Sequence, residues 1–189
     1  LGMDLDHGGH LTHGYKLSSS GLLYDFHSYI TKDGKIDYND LGDKLKTIKP
    51  KLLILGGSSY PYAIDFKLAK EKVEEFSPST LIMADVAHIA GLIAAKEHPS
   101  PFGYCDYITS TTHKTLRGPR GGIIFMKEEY YTNVNRAVFP GIQGGPLMHV
   151  IGAKGVAFNE ACTSEYKEYI KQVKNNVTAF IDELRKSNV

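Results

Sequence analysis

Apolar and polar positions divide the chain into short apolar runs, amphipathic stretches and glycine-rich loops. Continuous apolar runs at 51–57 and 80–88 predict buried parallel strands, because such strands are covered on both faces. Runs at 105–114 and 121–127 predict two more strands. The aromatic, alternating stretch at 21–30 predicts a further strand.

Amphipathic segments between these runs predict helices. Asp37 is suited to cap a helix that runs to about Ile48. A second helix is predicted near 64–76, and two more between about 146 and 187, broken near 163–164. Because strands alternate with helices, we predict an α/β fold of three layers (αβα) around a mostly parallel sheet.

Composition narrows the class of protein. The 189 residues suffice for one domain with a core, and the net charge of +1 disfavours nucleic-acid or membrane partners. No apolar run reaches the roughly 18 residues that a membrane span needs. The two cysteines, Cys105 and Cys162, are too few for a disulfide framework, so we predict buried thiols in a reducing compartment.

The ends of the sequence resemble cuts in a longer protein. The chain begins with LGMDLDHGGH, without an initiator Met, and stops at DELRKSNV, at the end of a long predicted helix. We therefore interpret residues 1–189 as one fragment of a larger chain.

Polar residues follow several of the predicted strands. Ser58 follows the first apolar run, Asp85 and His88 end the second, and Thr111 to Lys114 end the third. In open α/β sheets, ligands bind at the carboxyl ends of the strands. The sequence therefore predicts a catalytic site at this edge of the sheet.

Lys114 lies within the segment TSTTHKTLRGPRGG, residues 109–122. A lysine that forms an imine must spend time neutral, so its pKa of about 10.4 must fall through desolvation or a nearby cation. His113, Arg117 and Arg120 are candidate cations. From the residues alone, a solvated lysine and a catalytic lysine both stay open.

Asp85 ends the apolar run LIMAD, and His88 follows three residues later. One interpretation is a cap for the turn that follows. The other is a carboxylate that pairs with a cation, such as the protonated ring nitrogen of a pyridine cofactor.

Three glycine-rich loops complete the candidate chemistry. The histidines of HGGHLTHG (7–14) do not form a metal signature, and we expect no metal; an imidazole there is either structural or stacks on an aromatic cofactor. GGSSYP (56–61) and FPGIQGGP (139–146) match neither phosphate-loop fingerprint. Glycines of the second loop are suited to present backbone N–H groups to a phosphate.

Together the segments LDHGGHLTHG, GGSSYP, ADVAHIAGL, TSTTHKTLRGPRGG and VFPGIQGGP resemble the serine hydroxymethyltransferase family over nearly the whole chain. The resemblance implies fold type I of the pyridoxal-phosphate enzymes, the aspartate aminotransferase-like fold. Residues 1–189 would be a single cofactor-binding fragment of the large domain, lacking the N-terminal arm and the C-terminal small domain.

The resemblance also implies roles for residues around the cofactor. Lys114 would hold pyridoxal 5'-phosphate as an internal aldimine, His10 would stack on its ring, and Asp85 would pair with the ring nitrogen. Ser58 and His88 would lie near the phenolic oxygen. The remaining implied cofactor and catalytic residues are Thr111 and His113 beside the lysine, Arg120 as positive charge, and Gly144 and Gly145 from a neighbouring subunit.

The implied reaction is the reversible transfer of the serine hydroxymethyl group to tetrahydrofolate, which gives glycine and 5,10-methylenetetrahydrofolate. The folate would contact Leu5, Gly9, His10, Leu11 and, across a dimer, Phe139. We expect a homodimer or tetramer in the full-length protein and no activity from these 189 residues alone. A cytoplasmic protein is expected, with a mitochondrial or plastid form left open.

Two other functions stay open at this point. The first is a fold type I aldolase that cleaves β-hydroxy amino acids of the threonine type without folate. The second is an interaction or regulatory fragment that has kept the fold and lost the cofactor. The presence of Lys114, Asp85 and His10 together argues against the second.

Overall fold

The structure is a computed structural model that describes residues 1–187. The strands are β1 (Gly2–Met3), β2 (Ser28–Tyr29), β3 (Thr31–Lys32), β4 (Lys35–Ile36), β5 (Leu52–Leu55), β6 (Leu81–Asp85), β7 (Tyr107–Thr111) and β8 (Gly122–Met126). The α-helices are α1 (Ser19–Leu23), α2 (Tyr38–Ile48), α3 (Phe66–Phe76), α4 (Ala90–Ala94), α5 (Tyr131–Arg136), α6 (Met148–Ala161) and α7 (Ser164–Lys186). Short irregular helical turns cover Leu5–His7, Glu128–Tyr130 and Ala137–Ile142.

The central sheet has the strand order β5-β6-β7-β8. β5, β6 and β7 are parallel, and β8 runs antiparallel to β7. At the other edge, Leu1 continues the sheet: its terminal amine donates to the Leu52 carbonyl oxygen at 2.9 Å, and the Ile54 N–H donates to the Leu1 carbonyl oxygen at 2.8 Å. The predicted α/β fold with a mostly parallel sheet is confirmed.

The helices begin where the sequence supplies caps. The Asp37 side chain accepts the N–H groups of Asn39 and Asp40 at the start of α2, and the Asp65 side chain accepts the N–H of Leu68 at the start of α3. The main hydrophobic core joins α2 and α3 to the sheet, with Leu41 among its fully buried residues. A second, smaller cluster joins α6 and α7 to the segment around Ala95.

Most predicted elements are confirmed, including the break in the tail at Thr163, which caps α7. The strand predicted over 21–30 is wrong. Ser18 caps a short helix there, and Leu22 and Leu23 are about 70% exposed, so the apolar alternation does not mark a buried face. Only Ser28–Tyr29 forms a strand, paired with β1.

The two cysteines have different environments. Cys105 is buried, and burial raises the pKa of its thiol to about 12. Cys162 is exposed, so the prediction of two buried thiols is wrong for this residue. Both are free within the described part of the chain.

None of the helices described within residues 1–187 is long and apolar enough to cross a membrane.

Candidate functional site

A cavity of about 230 Å³ opens at the carboxyl ends of β5, β6 and β7. We call it the Lys114 cavity. Its position follows from the parallel strands, whose carboxyl ends meet at one edge of the sheet. The residues that line it are His10, Thr12, Gly57, Ser58, Asp85, Ala87, His88, Thr109, Ser110, Thr111 and Lys114.

The side chains of Lys114 and His88 are in direct contact in the wall of the cavity. The Lys114 Nζ lies 3.0 Å from the His88 Nε2. Burial, the charge of Lys114 and the nearby His10 lower the pKa of His88 below its ordinary value of 6.5. His88 is therefore kept in its neutral form, in which Nε2 accepts a hydrogen bond from the lysine amine.

Asp85 lies at the end of β6 and is held by two donors. The His13 Nε2 donates to Asp85 Oδ2 at 2.8 Å, and the Ala87 N–H donates to Oδ1 at 3.1 Å. Burial by itself would raise the pKa of Asp85, but the hydrogen bonds and the histidine charges outweigh burial and lower the pKa. Asp85 thus caps the following turn and also presents an ionised carboxylate to the cavity.

His13 is a site residue that the sequence interpretation did not single out. Its side chain is 3% exposed, and it contacts a residue 72 positions away in the sequence. Because a carboxylate only accepts hydrogen bonds, Nε2 carries the ring proton. The Nδ1 atom is buried without a partner among the described residues. The third histidine of HGGHLTHG was the available signal.

Thr12 is a second residue that the interpretation did not single out, and it fixes the imidazole of His10. The Thr12 N–H donates to His10 Nδ1 at 3.1 Å, and the Thr12 Oγ1 lies 2.7 Å from the same atom. A backbone N–H only donates, so Nδ1 accepts and the ring proton lies on Nε2. Burial, His13 and Lys114 lower the pKa of His10, which agrees with a neutral ring.

The glycine-rich loops at the cavity support each other. The N–H groups of Ser58 and Ser59 both donate to the Gly8 carbonyl oxygen, at 2.8 and 3.2 Å. Gly56 has a φ of +147°, and a Cβ there would collide with the Asp85 carbonyl group. Glycine is therefore required where the loop after β5 passes behind Asp85.

Three predicted residues close to Lys114 in sequence do not line its cavity. The Nε2 atom of His113 lies 3.2 Å from the Nη1 atom of Arg120. Arg120 lines a different cavity, on the side of β8. The guanidinium carbon of Arg117 lies 5.2 and 4.6 Å from the rings of Tyr166 and Tyr169. Neither arginine therefore lies next to Lys114; the side chain in contact with the lysine amine is the neutral His88.

The structure places Gly144 and Gly145 in this second cavity, which measures about 750 Å³. We call it the β8 cavity; its lining includes Arg120, Gly122, Gly144, Gly145 and Lys154. A Cβ at either of the two loop glycines would have nothing within 4 Å, and neither has a positive φ. No contact within the described part of the chain requires glycine at these two positions.

The predicted folate residues also lie outside the Lys114 cavity, apart from His10. Leu5, Leu11 and Phe139 are exposed at 38%, 51% and 56%. Gly9 is buried, and a Cβ there would collide with the carbonyl oxygens of Met3 and Asp4. Among residues 1–187, no group of three or more histidine, cysteine or acidic side chains is arranged to hold a metal ion.

Comparison with known proteins gives a consistent result. A family model described as serine hydroxymethyltransferase matches residues 1–189. The chain is 55% identical over 180 residues to the serine hydroxymethyltransferase of a Nitratiruptor species, covering 94% of this chain and 43% of the relative. It is 51% identical over 190 residues to that of Helicobacter hepaticus, covering 100% and 45%. The chain thus spans less than half the length of these curated relatives.

Proposed function

Because the chain belongs to the serine hydroxymethyltransferase family, we propose that it is the cofactor-holding part of an enzyme that transfers the hydroxymethyl group of serine to tetrahydrofolate. The products are glycine and 5,10-methylenetetrahydrofolate, and the transfer is reversible. The observation that carries the proposal is the convergence of Lys114, Asp85, His88 and His10 on one cavity. The family has fold type I of the pyridoxal-phosphate enzymes, and the mostly parallel sheet agrees with it.

The residues of the Lys114 cavity fit pyridoxal phosphate. The cofactor needs an amine for covalent attachment, a carboxylate for its ring nitrogen and a flat group against its ring. Lys114, Asp85 and His10 supply these three. The cavity is smaller than the roughly 300 to 1,000 Å³ of typical ligand sites, so residues beyond this wall would complete it.

Asp85 would hold the proton of the ring nitrogen. Its lowered pKa keeps the carboxylate ionised at neutral pH, and His13 and the Ala87 N–H fix its orientation. When bound, pyridoxal phosphate supplies an electron-accepting ring for cleavage of the bond between Cα and Cβ of serine. An ionised Asp85 beside the ring nitrogen would favour the cationic, more strongly accepting ring.

Lys114 would bind the cofactor covalently and accept protons as amino acids enter and leave. The contact with the neutral His88 gives the lysine amine an acceptor within the cavity. Thr111 lines the same wall, and its hydroxyl lies 3.4 Å from the Ala87 carbonyl oxygen. Ser58 and His88 would lie near the phenolic oxygen of the cofactor.

His10 would lie against the ring face. A neutral imidazole suits this place, since an imidazolium would repel a cationic pyridine ring. The contacts from Thr12 to Nδ1 support the neutral form with its proton on Nε2. We also propose that Leu5, Gly9 and Leu11, which flank His10, contact the folate, with Phe139 contributing from a second subunit.

A second subunit would supply Gly144 and Gly145 to the cofactor phosphate. Two observations favour this. The glycines are not required by any described contact within their own chain, and Ile142 and Leu147, which flank them, are 86% and 63% exposed. Backbone N–H groups of such a loop suit an anion. On this proposal, Arg120 supplies positive charge near the anionic cofactor, and the protein acts as a homodimer or larger oligomer.

Titration with pyridoxal phosphate tests the proposal. We would add the cofactor to this chain and to a chimera in which the chain replaces the matching segment of the Nitratiruptor relative. Borohydride trapping and peptide mapping should locate the adduct on Lys114 in the chimera. The isolated 189 residues should show no turnover, because they supply one wall of the site.

Folate dependence tests the reaction. Serine cleavage by the chimera should require tetrahydrofolate, whereas a folate-independent aldolase would cleave β-hydroxy amino acids without it. Absence of an adduct in both proteins would contradict the cofactor assignment. An adduct without folate-dependent serine cleavage would contradict the assigned reaction alone.

A further inference from the structure

Tyr166 connects the long helix α7 to the segment that follows Lys114. Its side chain is fully buried at the first turn of the helix, and its hydroxyl donates to the Thr115 carbonyl oxygen at 2.8 Å. The helix start itself is fixed, because the Thr163 side chain accepts the Tyr166 N–H at 3.2 Å. The tyrosine hydroxyl therefore marks a fixed point for the backbone directly after the lysine.

Thr115 connects this segment to His88 by a hydrogen bond. The Thr115 Oγ1 donates to the His88 carbonyl oxygen at 2.9 Å and accepts the Gly91 N–H at 2.9 Å. A Cβ on Gly91 would collide with the Thr115 carbonyl group and the Tyr166 hydroxyl, so the three residues pack without free space. Thr115 is therefore hydrogen-bonded to the backbone of His88 and is joined to Lys114 by the peptide bond.

Arg117 also holds the segment after Lys114 in place, through contacts with the lysine backbone and with α6 and α7. Its N–H donates to the Lys114 carbonyl oxygen at 2.8 Å, which closes a turn. Its guanidinium carbon lies over the rings of Tyr166 and Tyr169, at 5.2 and 4.6 Å from their centroids. Glu160 of α6 lies 3.8 Å from the guanidinium. The turn after Lys114 is therefore held against α7 by both of its ends.

We propose that Tyr166 is a positioning residue that holds Lys114 and His88 at their 3.0 Å contact through the backbone of Thr115. The proposal deepens the proposed function and rests on it for the role of Lys114. The alternative is that Tyr166 only fills the core between α7 and the sheet. On that alternative the ring matters and the hydroxyl does not, so Tyr166→Phe separates the two.

The first test uses the cofactor-free chain. His88 reports on the contact, because its pKa is lowered first by burial and next by the charge of Lys114, with smaller effects from His10, which lowers it, and Asp85, which raises it. We expect NMR titration of His88 in Tyr166→Phe to give a pKa closer to its ordinary value of 6.5 than in the unsubstituted chain, because Lys114 moves away. Tyr169→Phe is the matched control: this tyrosine also faces Arg117 but is 42% exposed, and the His88 titration should not change.

A second test measures the rate at which pyridoxal phosphate is trapped on Lys114 in the same chimera. Tyr166→Phe should slow trapping by about 3- to 10-fold, because small displacements of a reacting group are costly. Tyr169→Phe should trap at the unsubstituted rate. If the unsubstituted chimera traps no cofactor, the proposed function fails, while the His88 titration still decides the role of Tyr166.

A folded Tyr166→Phe chain whose His88 titrates as in the unsubstituted chain would overturn the proposal. If Tyr166→Phe does not fold, Thr115→Val decides, since it removes the hydroxyl that reaches His88 and leaves Tyr166 in place. Its His88 pKa should also rise, and Thr115→Ser, which keeps the hydroxyl, should restore the original value. Identical titrations for the valine and serine variants would overturn the proposal.

Discussion

The Lys114 cavity and the β8 cavity share the wall formed by Thr109 and Ser110, yet their residues are explained in different ways. In the Lys114 cavity, the central side chains have partners within the chain: His13 holds Asp85, and His88 contacts Lys114. In the β8 cavity, Gly144 and Gly145 have no described neighbour that requires glycine.

This difference indicates that contacts within one chain fix the geometry of the Lys114 cavity, whereas an assembly of subunits would fix the role of the loop in the β8 cavity. The first cavity is held by hydrogen bonds between the loops around the strand ends, so its geometry should survive in a single chain. The loop of the second cavity carries exposed apolar residues, such as Ile142 at 86%. Substitutions in the Lys114 cavity should therefore affect a single chain, whereas substitutions in the β8 cavity should have an effect only when a partner subunit is present.

Lys114→Ala should abolish covalent capture of pyridoxal phosphate by the chimera, because no other amine lines the cavity among the described residues. The measurement is borohydride trapping followed by peptide mapping. Lys67→Ala is the matched control, because this lysine of α3 is 68% exposed and lines neither the Lys114 cavity nor the β8 cavity. A trapped adduct of equal yield in Lys114→Ala would contradict the assignment.

Asp85→Asn should reduce turnover of the chimera by about 100- to 1,000-fold, the loss typical of removing one electrostatic contact at a reacting group. The amide oxygen can accept a hydrogen bond, but it carries no negative charge to stabilise a cationic ring nitrogen. Steady-state kinetics with serine and tetrahydrofolate would measure the effect. Asp25→Asn, a change at a side chain that is 93% exposed, serves as the control. Turnover within a few-fold of the unsubstituted chimera would contradict the role of Asp85.

The same substitution should change how stability depends on pH. The pKa of Asp85 is lowered in the folded chain below its ordinary value of 3.8, so its ionised form stabilises the fold above about pH 4. That contribution is lost as the pH falls through the folded pKa. We expect Asp85→Asn to unfold about 1 to 3 kcal/mol more easily at pH 7.

Urea denaturation at several pH values would measure this difference. The gap between Asp85→Asn and the unsubstituted chain should shrink below about pH 4, because protonation then removes the charge that distinguishes the two proteins. A gap that stays constant from pH 7 to pH 3 would show that the charge of Asp85 does not stabilise the fold.

Much of the fold could be predicted from sequence because its signals are local. Asp37 caps α2 through residues two and three positions away, and the apolar runs of β5, β6 and β7 needed no distant partner to be recognised. The exposed Leu22 and Leu23 show the limit, since alternation alone does not say whether a face is covered.

The site could be predicted in part for a physical reason. Parallel strands bring their carboxyl ends to one edge, so Ser58, Asp85 and Lys114 were expected to converge, and all three line the cavity. The pairs that fix these residues join positions far apart in the chain. His13 contacts Asp85 across 72 positions, and Tyr166 contacts Thr115 across 51. No periodicity or spacing in the sequence encodes such contacts.

Gly145→Asp tests whether the β8 cavity, unlike the Lys114 cavity, depends on a neighbouring subunit. In the isolated chain the substitution should leave the free energy of unfolding unchanged, because nothing lies within 4 Å of the position of a Cβ. In the chimera it should abolish cofactor binding, since a carboxylate would repel the phosphate bound by the neighbouring subunit.

Mixing two inactive chimeras would then identify the subunit that supplies the loop. Random reassortment of Lys114→Ala and Gly145→Asp subunits makes about half of the dimers hybrids, each with one intact site, so activity should return to about a quarter. Each variant alone should stay inactive. No recovery in the mixture would show that lysine and loop act within one subunit.

Thr12→Val should produce the smallest effect. The valine keeps the N–H that donates to His10 Nδ1 but loses the hydroxyl 2.7 Å from it, so the imidazole keeps one of its two contacts. We expect cofactor affinity of the chimera, measured by equilibrium titration, to fall by about 2- to 10-fold, the loss of one hydrogen bond. Thr12→Ser keeps the hydroxyl and should bind as the unsubstituted protein does. Equal affinity for the valine and serine variants would mean that the backbone N–H alone orients His10, and that the Lys114 cavity depends less on side-chain partners than its geometry indicates.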